Sequence, residues 1–262
     1  MSPPISGPIS GSTADPNREL LALLYEAADA IHAALDETTD RGLAGTRDGQ
    51  YHLDLAADRA GVDILAAAGL GVLSEESGDH VGRGEIVVVL DPVDGSTNAS
   101  RGIPWYNTSL CAVDETGPLA AVVVDQANGV RFEATRGRGA RRDGVPITPH
   151  GCDRASEGIV ALNGYPPRHL GWKQYRALGA AALDLCAVAA GILDAYVDCT
   201  SEGLAPWDYL GGLLICREAG AVVATVDGAD LITLDGSARR VIVAAATEKL
   251  LAELLEARRS FA

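Results

Sequence analysis

Two kinds of apolar pattern alternate along this chain. Apolar residues spaced three and four apart, or in compact apolar runs bounded by capping residues, predict helices over residues 18–35, 53–68, 179–191, 207–219 and 247–259. Short apolar runs rich in β-branched residues predict strands near residues 70–73, 85–90, 108–114, 119–125, 129–134, 158–162, 194–198, 221–225 and 240–245. Several strands in the first half and alternation in the second predict a mixed α/β chain.

The distribution of proline, serine and glycine suggests where the chain divides. Residues 1–17 are rich in these three and have neither a basic start nor an apolar run, so we expect a flexible tail and not a signal peptide. Asp15 and Pro16 are favourable residues for starting a helix. A boundary is expected near residues 149–153, which would separate an N-terminal half (18–150) from a C-terminal half (151–262).

The candidate chemistry lies at the end of the predicted strand 85–90. There Asp91-Pro92-Val93-Asp94-Gly95 places two carboxylates three residues apart, followed by the hydroxyl residues Ser96 and Thr97. These residue types are also those of an ordinary turn. The alternative is a site in which the carboxylates hold hard cations and the backbone N–H groups beyond them donate hydrogen bonds to a phosphate.

Two further acidic positions end or begin apolar elements. Glu75 and Glu76 follow the apolar run near 70–73, and Asp208 opens the predicted helix 207–219. Taken singly, each has a default explanation without a metal: a solvated loop for Glu75 and Glu76 and a helix cap for Asp208. Together they give three acidic element ends in an apolar chain, which favours a shared metal site.

With these segments the sequence resembles the inositol monophosphatase and fructose-1,6-bisphosphatase superfamily of magnesium-dependent, lithium-sensitive phosphatases. The resemblance is carried by residues 91–98, by residues 207–212 with 218–220, and by the Glu-Glu-Ser segment 75–77, where Ser74 replaces the usual Gly. It covers roughly residues 20–258. It implies the family's layered α-β-α-β-α sandwich, with the metal site between the halves.

The resemblance also implies roles for particular residues. The metal ligands would be Glu75, Asp91, the Val93 carbonyl, Asp94 and Asp208, and the cofactor Mg²⁺. Glu75, Asp58 and Ser96 would orient the attacking water, although His52 and Leu55 depart from the family's usual lead-in to the upstream Asp. Substrate would be bound by Asp94, Gly95, Ser96, Thr97, Asp198 and Asp208.

Charge agrees with a metal-dependent reaction on an anion. The chain has 36 acidic and 21 basic residues and a formal net charge of −15. Such a chain is expected to be a poor nucleic-acid binder, and it would repel a phosphorylated substrate unless cations intervened. The alternative is that the charge only keeps the protein soluble.

Other composition features narrow the class. Five cysteines form no C-x-x-C pair, so we expect reduced thiols, a cytoplasmic protein and no zinc site. No run approaches the roughly 18 apolar residues of a membrane span. A homodimer is left open as a possible assembly.

The sequence therefore predicts a magnesium-dependent phosphomonoesterase acting on a small polyol or sugar phosphate, with inositol monophosphate as the default. Fructose-1,6-bisphosphate, histidinol phosphate and a 3′-phosphoadenosine nucleotide are the alternative substrates. A non-catalytic, metal-binding regulatory protein is the alternative from another class.

Overall fold

A computed structural model describes residues 15–47 and 49–261. Helices in these ranges are α1 (Pro16–Glu37), α2 (His52–Ala67), α3 (Ser96–Arg101), α4 (Ala181–Ala189), α5 (Pro206–Ala219) and α6 (Glu248–Arg259). The strands are β1 (Gly71–Ser74), β2 (Gly78–His80), β3 (Val87–Asp94), β4 (Asn107–Asp114), β5 (Gly117–Asp125), β6 (Val130–Thr135), β7 (Ala140–Arg142), β8 (Val145–Pro146), β9 (Ile159–Asn163), β10 (Gln174–Arg176), β11 (Ala195–Asp198), β12 (Val222–Thr225) and β13 (Ile242–Ala245).

The first eight strands form one sheet, and both faces of its strands β1, β3, β4 and β5 are buried. Its order is β2-β1-β3-β4-β5-β6-β7-β8, with β1 parallel to β3 and the other pairs antiparallel. Along β3, Val88 and Leu90 pack with α1 and α2, while Val89 packs with α4 and α5. Because both faces need apolar side chains, β1, β3, β4 and β5 appear in the sequence as nearly continuous apolar runs, whereas the short outer strands β2, β7 and β8 do not.

Helices α4 and α5 form the central layer between the two sheets. The second sheet has the order β10-β9-β11-β13-β12, and α6 covers its outer face. Gly212 lets α5 approach α4 closely, since a Cβ there would lie 2.6 Å from the Leu185 Cβ. The layers are thus helix, sheet, helix, sheet, helix, and the predicted α-β-α-β-α sandwich is confirmed.

Most predicted elements are present, with shifted ends. Helix α1 begins at Pro16, with the Asp15 side chain accepting from the Asn17 N–H at 3.1 Å. The predicted tail, residues 1–17, lies outside the described residues over positions 1–14. Strand β3 runs four residues beyond the predicted end at Leu90. No helix within the described ranges is both long and apolar enough to cross a bilayer.

Candidate functional site

The end of β3 brings Asp91 and Asp94 to the same side of the sheet. In a regular strand, residues three apart point to opposite faces. Here Asp91 pairs with Ser109 and Asp94 with Asn107, so β3 has one residue more than β4 over this stretch. This bulge includes Pro92, which has no N–H to lose from the ladder.

Glu75 reaches the same edge because β1 and β3 are parallel. Ser74 lies opposite Leu90, and the Glu75 N–H donates to the Leu90 carbonyl at 3.1 Å. The carboxyl ends of the two strands therefore lie side by side, with Glu75 beside Asp91.

Asp208 comes from the other half of the chain, in the first turn of α5. Its Oδ2 accepts from the Ala205 N–H at 2.7 Å, which caps the helix start. Pro206 is the first helical residue and loses no hydrogen bond there.

Three of these carboxylates converge. Glu75, Asp91 and Asp208 each offer an oxygen, and the three oxygens all lie within 4.8 Å of one another. Burial and then the neighbouring carboxylates Asp208 and Glu76 raise the pKa of Glu75 to about 8. Burial, and secondly Glu75 and Asp94, raise the pKa of Asp91 well above its usual range. An all-oxygen, negatively charged donor set of this kind suits a hard divalent cation.

Asp94 lies next to this group and has partners of its own. Its Oδ2 accepts from Asn107 Nδ2 and from the Ala182 N–H at the start of α4, both at 2.8 Å. Burial raises the pKa of Asp94 to about 6, and these hydrogen bonds oppose the rise. Burial, followed by the Asp94 charge, raises the pKa of Asp208 to about 7.

The carboxylates open onto a cavity of about 430 Å³ between the two halves. It is lined by Arg47, Gly49, Asp54, Glu75, Glu76, Ser96, Ala205, Trp207, Asp208 and Arg239. The sequence analysis did not single out Arg47, Asp54 or Arg239. Arg47 donates to Glu76 and to the Glu75 carbonyl, each at 2.9 Å, and Arg239 lies over the Trp207 ring at 5.9 Å.

Asp54 lies in the first turn of α2, where its Oδ2 accepts from the Tyr51 N–H at 2.8 Å. Its Oδ1 is buried and has no hydrogen-bond partner among the described residues. Burial raises the pKa of Asp54 to about 6, and the hydrogen bond from the Tyr51 N–H opposes the rise. Asp54 also lies in the first turn of the predicted helix 53–68, so its position next to the helix start is the sequence signal that could have found it.

Asp58, the predicted water-orienting residue, lies one turn further along α2 and does not line this cavity. It is buried and accepts a hydrogen bond from the Ser74 hydroxyl. Ser74 Oγ in turn accepts from the Glu76 N–H at 3.2 Å. Asp58 thus supports the strand end that carries Glu75. The acidic residue of α2 that lines the cavity together with Ser96 is Asp54.

The predicted phosphate loop follows β3. Gly95 has φ +89°, and a Cβ there would lie 3.1 Å from the Gly179 carbonyl oxygen, so a glycine is required. Ser96 Oγ donates to the Val93 carbonyl at 2.9 Å, which leaves that oxygen a second lone pair for a cation. Ser96 lines the cavity, and Thr97 Oγ1 lies 3.3 Å from the Tyr51 hydroxyl.

Asp198 is not brought to this cavity wall. It is fully buried, and its Oδ1 accepts from the Thr200 N–H at 2.9 Å, the Thr200 hydroxyl at 2.7 Å and Asn163 Nδ2 at 3.2 Å. Burial raises the pKa of Asp198. Its Oδ2 has no partner among the described residues.

Comparison with known proteins agrees with this geometry. The model of the inositol monophosphatase family matches residues 17–260. Nus factor SuhB of Salmonella typhimurium is 31% identical over 239 residues, which cover 83% of this chain and 84% of that protein. A fructose-1,6-bisphosphatase/inositol-1-monophosphatase of Archaeoglobus fulgidus is 31% identical over 250 residues, covering 91% of this chain and 98% of that one.

Solved structures show the same fold. A Pyrococcus horikoshii protein described as similar to inositol-1 monophosphatase superposes with a TM-score of 0.79 at 28% identity, covering 92% of this chain and 96% of that one. The extragenic suppressor protein SuhB of Bartonella henselae gives a TM-score of 0.77 at 26% identity, covering 92% and 99%.

Proposed function

Because the chain belongs to the inositol monophosphatase family, we propose that it is a magnesium-dependent phosphomonoesterase acting on a small polyol or sugar phosphate, with inositol monophosphate first. One observation carries this proposal: Glu75, Asp91 and Asp208 converge to within 4.8 Å beside a cavity large enough for such a substrate. A cluster of buried carboxylates is costly unless cations neutralise it.

The cation is proposed to be Mg²⁺, held by Glu75, Asp91, Asp94, Asp208 and the Val93 carbonyl. This ion prefers hard oxygen ligands, and it usually keeps coordination positions for water and a substrate phosphate. When bound, it supplies charge neutralisation at the phosphate and an acidified water near neutral pH.

Asp54, Ser96 and Glu75 are the residues proposed to orient the attacking water. Asp54 has an oxygen without a protein partner, and a pKa of about 6 leaves it mostly ionised at neutral pH and able to accept a proton. The Ser96 hydroxyl lies on the same wall. The sequence-based choice of Asp58 for this role is the less favoured one, because Asp58 already accepts from Ser74 behind the strand.

The phosphate is proposed to bind the backbone N–H groups of Gly95, Ser96 and Thr97. This proposal is supported by the left-handed conformation of Gly95, which turns the chain so that these N–H groups lie at the N-terminus of α3. Asp94, Asp208 and Asp198 stay candidate substrate contacts, and Asp198 would require its buried Oδ2 to become accessible.

A second candidate is a regulatory protein that binds the metal without turnover, since relatives at 31% identity are named Nus factor SuhB. The expected absence of a nucleic-acid partner, the possible homodimer and the alternative phosphate substrates also stay predictions. Cytoplasmic location is supported only by the five free, buried cysteines.

The test is phosphate release from a panel of small phosphate esters, with and without Mg²⁺. We expect magnesium-dependent release by the wild type and a loss of roughly a hundredfold or more in Asp94→Asn. Asp63→Asn, the same change on the exposed face of α2, is the matched control and keeps wild-type activity. Bound Mg²⁺ by calorimetry with no release from any ester would instead support the regulatory candidate.

A further inference from the structure

A second cavity, of about 530 Å³, lies at the C-terminal end of α6. It is lined by Pro167, Cys199, Thr200, Ser201, Val226, Arg258, Arg259 and Phe261. None of these residues lines the carboxylate cavity. The lining contains two arginines and no carboxylate, in a chain whose net charge is −15.

Arg258 is the unusual member, because it is a buried cation without a carboxylate partner. Its side chain is part of a residue only 8% exposed. Its Nε donates to the Asp198 carbonyl and its Nη2 to the Thr200 carbonyl, both at 2.6 Å, and the guanidinium lies 4.5 Å from the centre of the Phe261 ring. Among the described residues it forms no ion pair. Buried arginines are almost always paired, since an uncompensated charge is costly to bury.

Arg258 opposes the rise in pKa that burial causes at the neighbouring Asp198 carboxylate, but the two side chains are not in ion-pair contact. The Asp198 carboxylate turns towards Thr200 and Asn163 and forms no ion pair with Arg258 within the described structure. Arg259 adds a second cation to the same wall: its Nε donates to the Val226 carbonyl at 2.8 Å, which leaves its two terminal nitrogens available. Ser201 contributes an exposed hydroxyl.

We infer that this cavity, here called the arginine cavity, is a binding site for a small phosphate-bearing anion. Guanidinium groups match phosphate oxygens with paired, charge-assisted hydrogen bonds. The volume exceeds what a bare phosphate needs, and Phe261, Pro167 and Val226 form an apolar wall, so the ligand class is an organic phosphate with an apolar portion. The site does not depend on the proposed phosphatase activity, because the two cavities share no lining residue.

The experiment is isothermal titration of the full chain with phenylphosphonate, a non-hydrolysable probe with a phosphate-like head, in EDTA so that the carboxylate cavity holds no cation. Inorganic phosphate is titrated in parallel. The variants are Arg259→Gln, Arg258→Gln and, as the matched control, Arg59→Gln on the exposed side of α2.

We expect one site for phenylphosphonate, tighter than for inorganic phosphate, and weakened about tenfold or more in Arg259→Gln. Arg59→Gln binds like the wild type. Arg259→Gln keeps the test valid if Arg258→Gln fails to fold, since Arg259 is exposed. The proposal is overturned if the wild type binds neither probe, or if Arg259→Gln binds as well as Arg59→Gln.

Discussion

Asp54 and Asp58 lie one helical turn apart on α2 and face different surroundings. Asp54 lines the carboxylate cavity with one oxygen unpartnered, whereas Asp58 points behind the strand end to the Ser74 hydroxyl. The Asp54 carboxylate can therefore interact with a substrate or a water, whereas the Asp58 carboxylate is used in a structural hydrogen bond. Their positions on the helix, and not their residue type, distinguish the two roles.

The pair Asp54→Asn and Asp58→Asn tests this difference. Asp54→Asn should lower turnover of the best phosphate ester by about a hundredfold or more while Mg²⁺ still binds, because a proton acceptor is lost and the proposed ligands stay. Asp58→Asn should keep turnover within an order of magnitude and cost about 1–3 kcal/mol of unfolding free energy, because it weakens a buried charge-assisted hydrogen bond. Steady-state kinetics and urea unfolding measure the two effects. The reverse pattern would restore Asp58 as the water-orienting residue.

At the scale of elements, α5 connects the two halves. It belongs to the C-terminal half by sequence, yet it packs on β3 to β7 of the first sheet as well as on β12 and α4. Two glycines make this possible: a Cβ at Gly211 would lie 2.6 Å from Ser109 Oγ, and one at Gly212 would lie 2.6 Å from the Leu185 Cβ. The helix that presents Asp208 is thus wedged at fixed depth between both sheets.

Gly212→Ala should destabilise the protein by about 1–3 kcal/mol, although alanine is the better helix former. The added methyl group would overpack the contact between α4 and α5, where neither backbone has room to withdraw. Gly84→Ala is the matched control, since a Cβ there meets nothing within 4 Å. Urea unfolding of both variants measures the effect. Equal stability would mean that the glycine does not set the approach of the two helices.

How far the sequence could predict this fold differs between elements. Apolar runs located β1 and β3 to β6 of the first sheet, and Asp15-Pro16 located the start of α1. The short strands β2, β7 and β8 were not predicted, because they contain no apolar run. The bulge at Pro92-Val93 could not be predicted, since it depends on pairing with β4. Arg47 and Arg239 were missed for a related reason: they reach the cavity from loops, whose paths no periodicity encodes.

On the scale of the whole molecule, we expect the carboxylate cavity to make the stability of the protein depend on bound cations. Without a bound metal, the pKa values of the four clustered carboxyl groups are all raised: Glu75, Asp91, Asp94 and Asp208. Unfolded Asp and Glu titrate near 4. Between pH of about 4 and about 8, the folded protein therefore holds more protons than the unfolded chain, and its stability falls as pH rises.

The thermal midpoint in EDTA should accordingly drop by about 5 °C or more between pH 5.5 and 8, while Mg²⁺ flattens the curve. Asp91→Asn removes one buried charge, so it should raise the metal-free midpoint at pH 8 and lose most of the stabilisation by Mg²⁺. Differential scanning fluorimetry across pH measures both. A metal-free thermal midpoint that rises between pH 5.5 and 8 would contradict the predicted direction. A midpoint at pH 8 that is the same in Asp91→Asn as in the wild type would mean that other groups cause the loss of stability.

The wedged position of α5 also has a consequence for biosynthesis. Glu75 and Asp91 leave the ribosome early, but Asp208 and the helix that covers Val89, Cys111 and Val123 follow only after a further stretch of translation, of the order of ten seconds. Until then the nascent chain exposes one apolar face of its first sheet and an incomplete set of carboxylates. The proposed cation site is therefore complete only once Asp208 has been made and α5 has packed, and until then the exposed apolar face is open to aggregation.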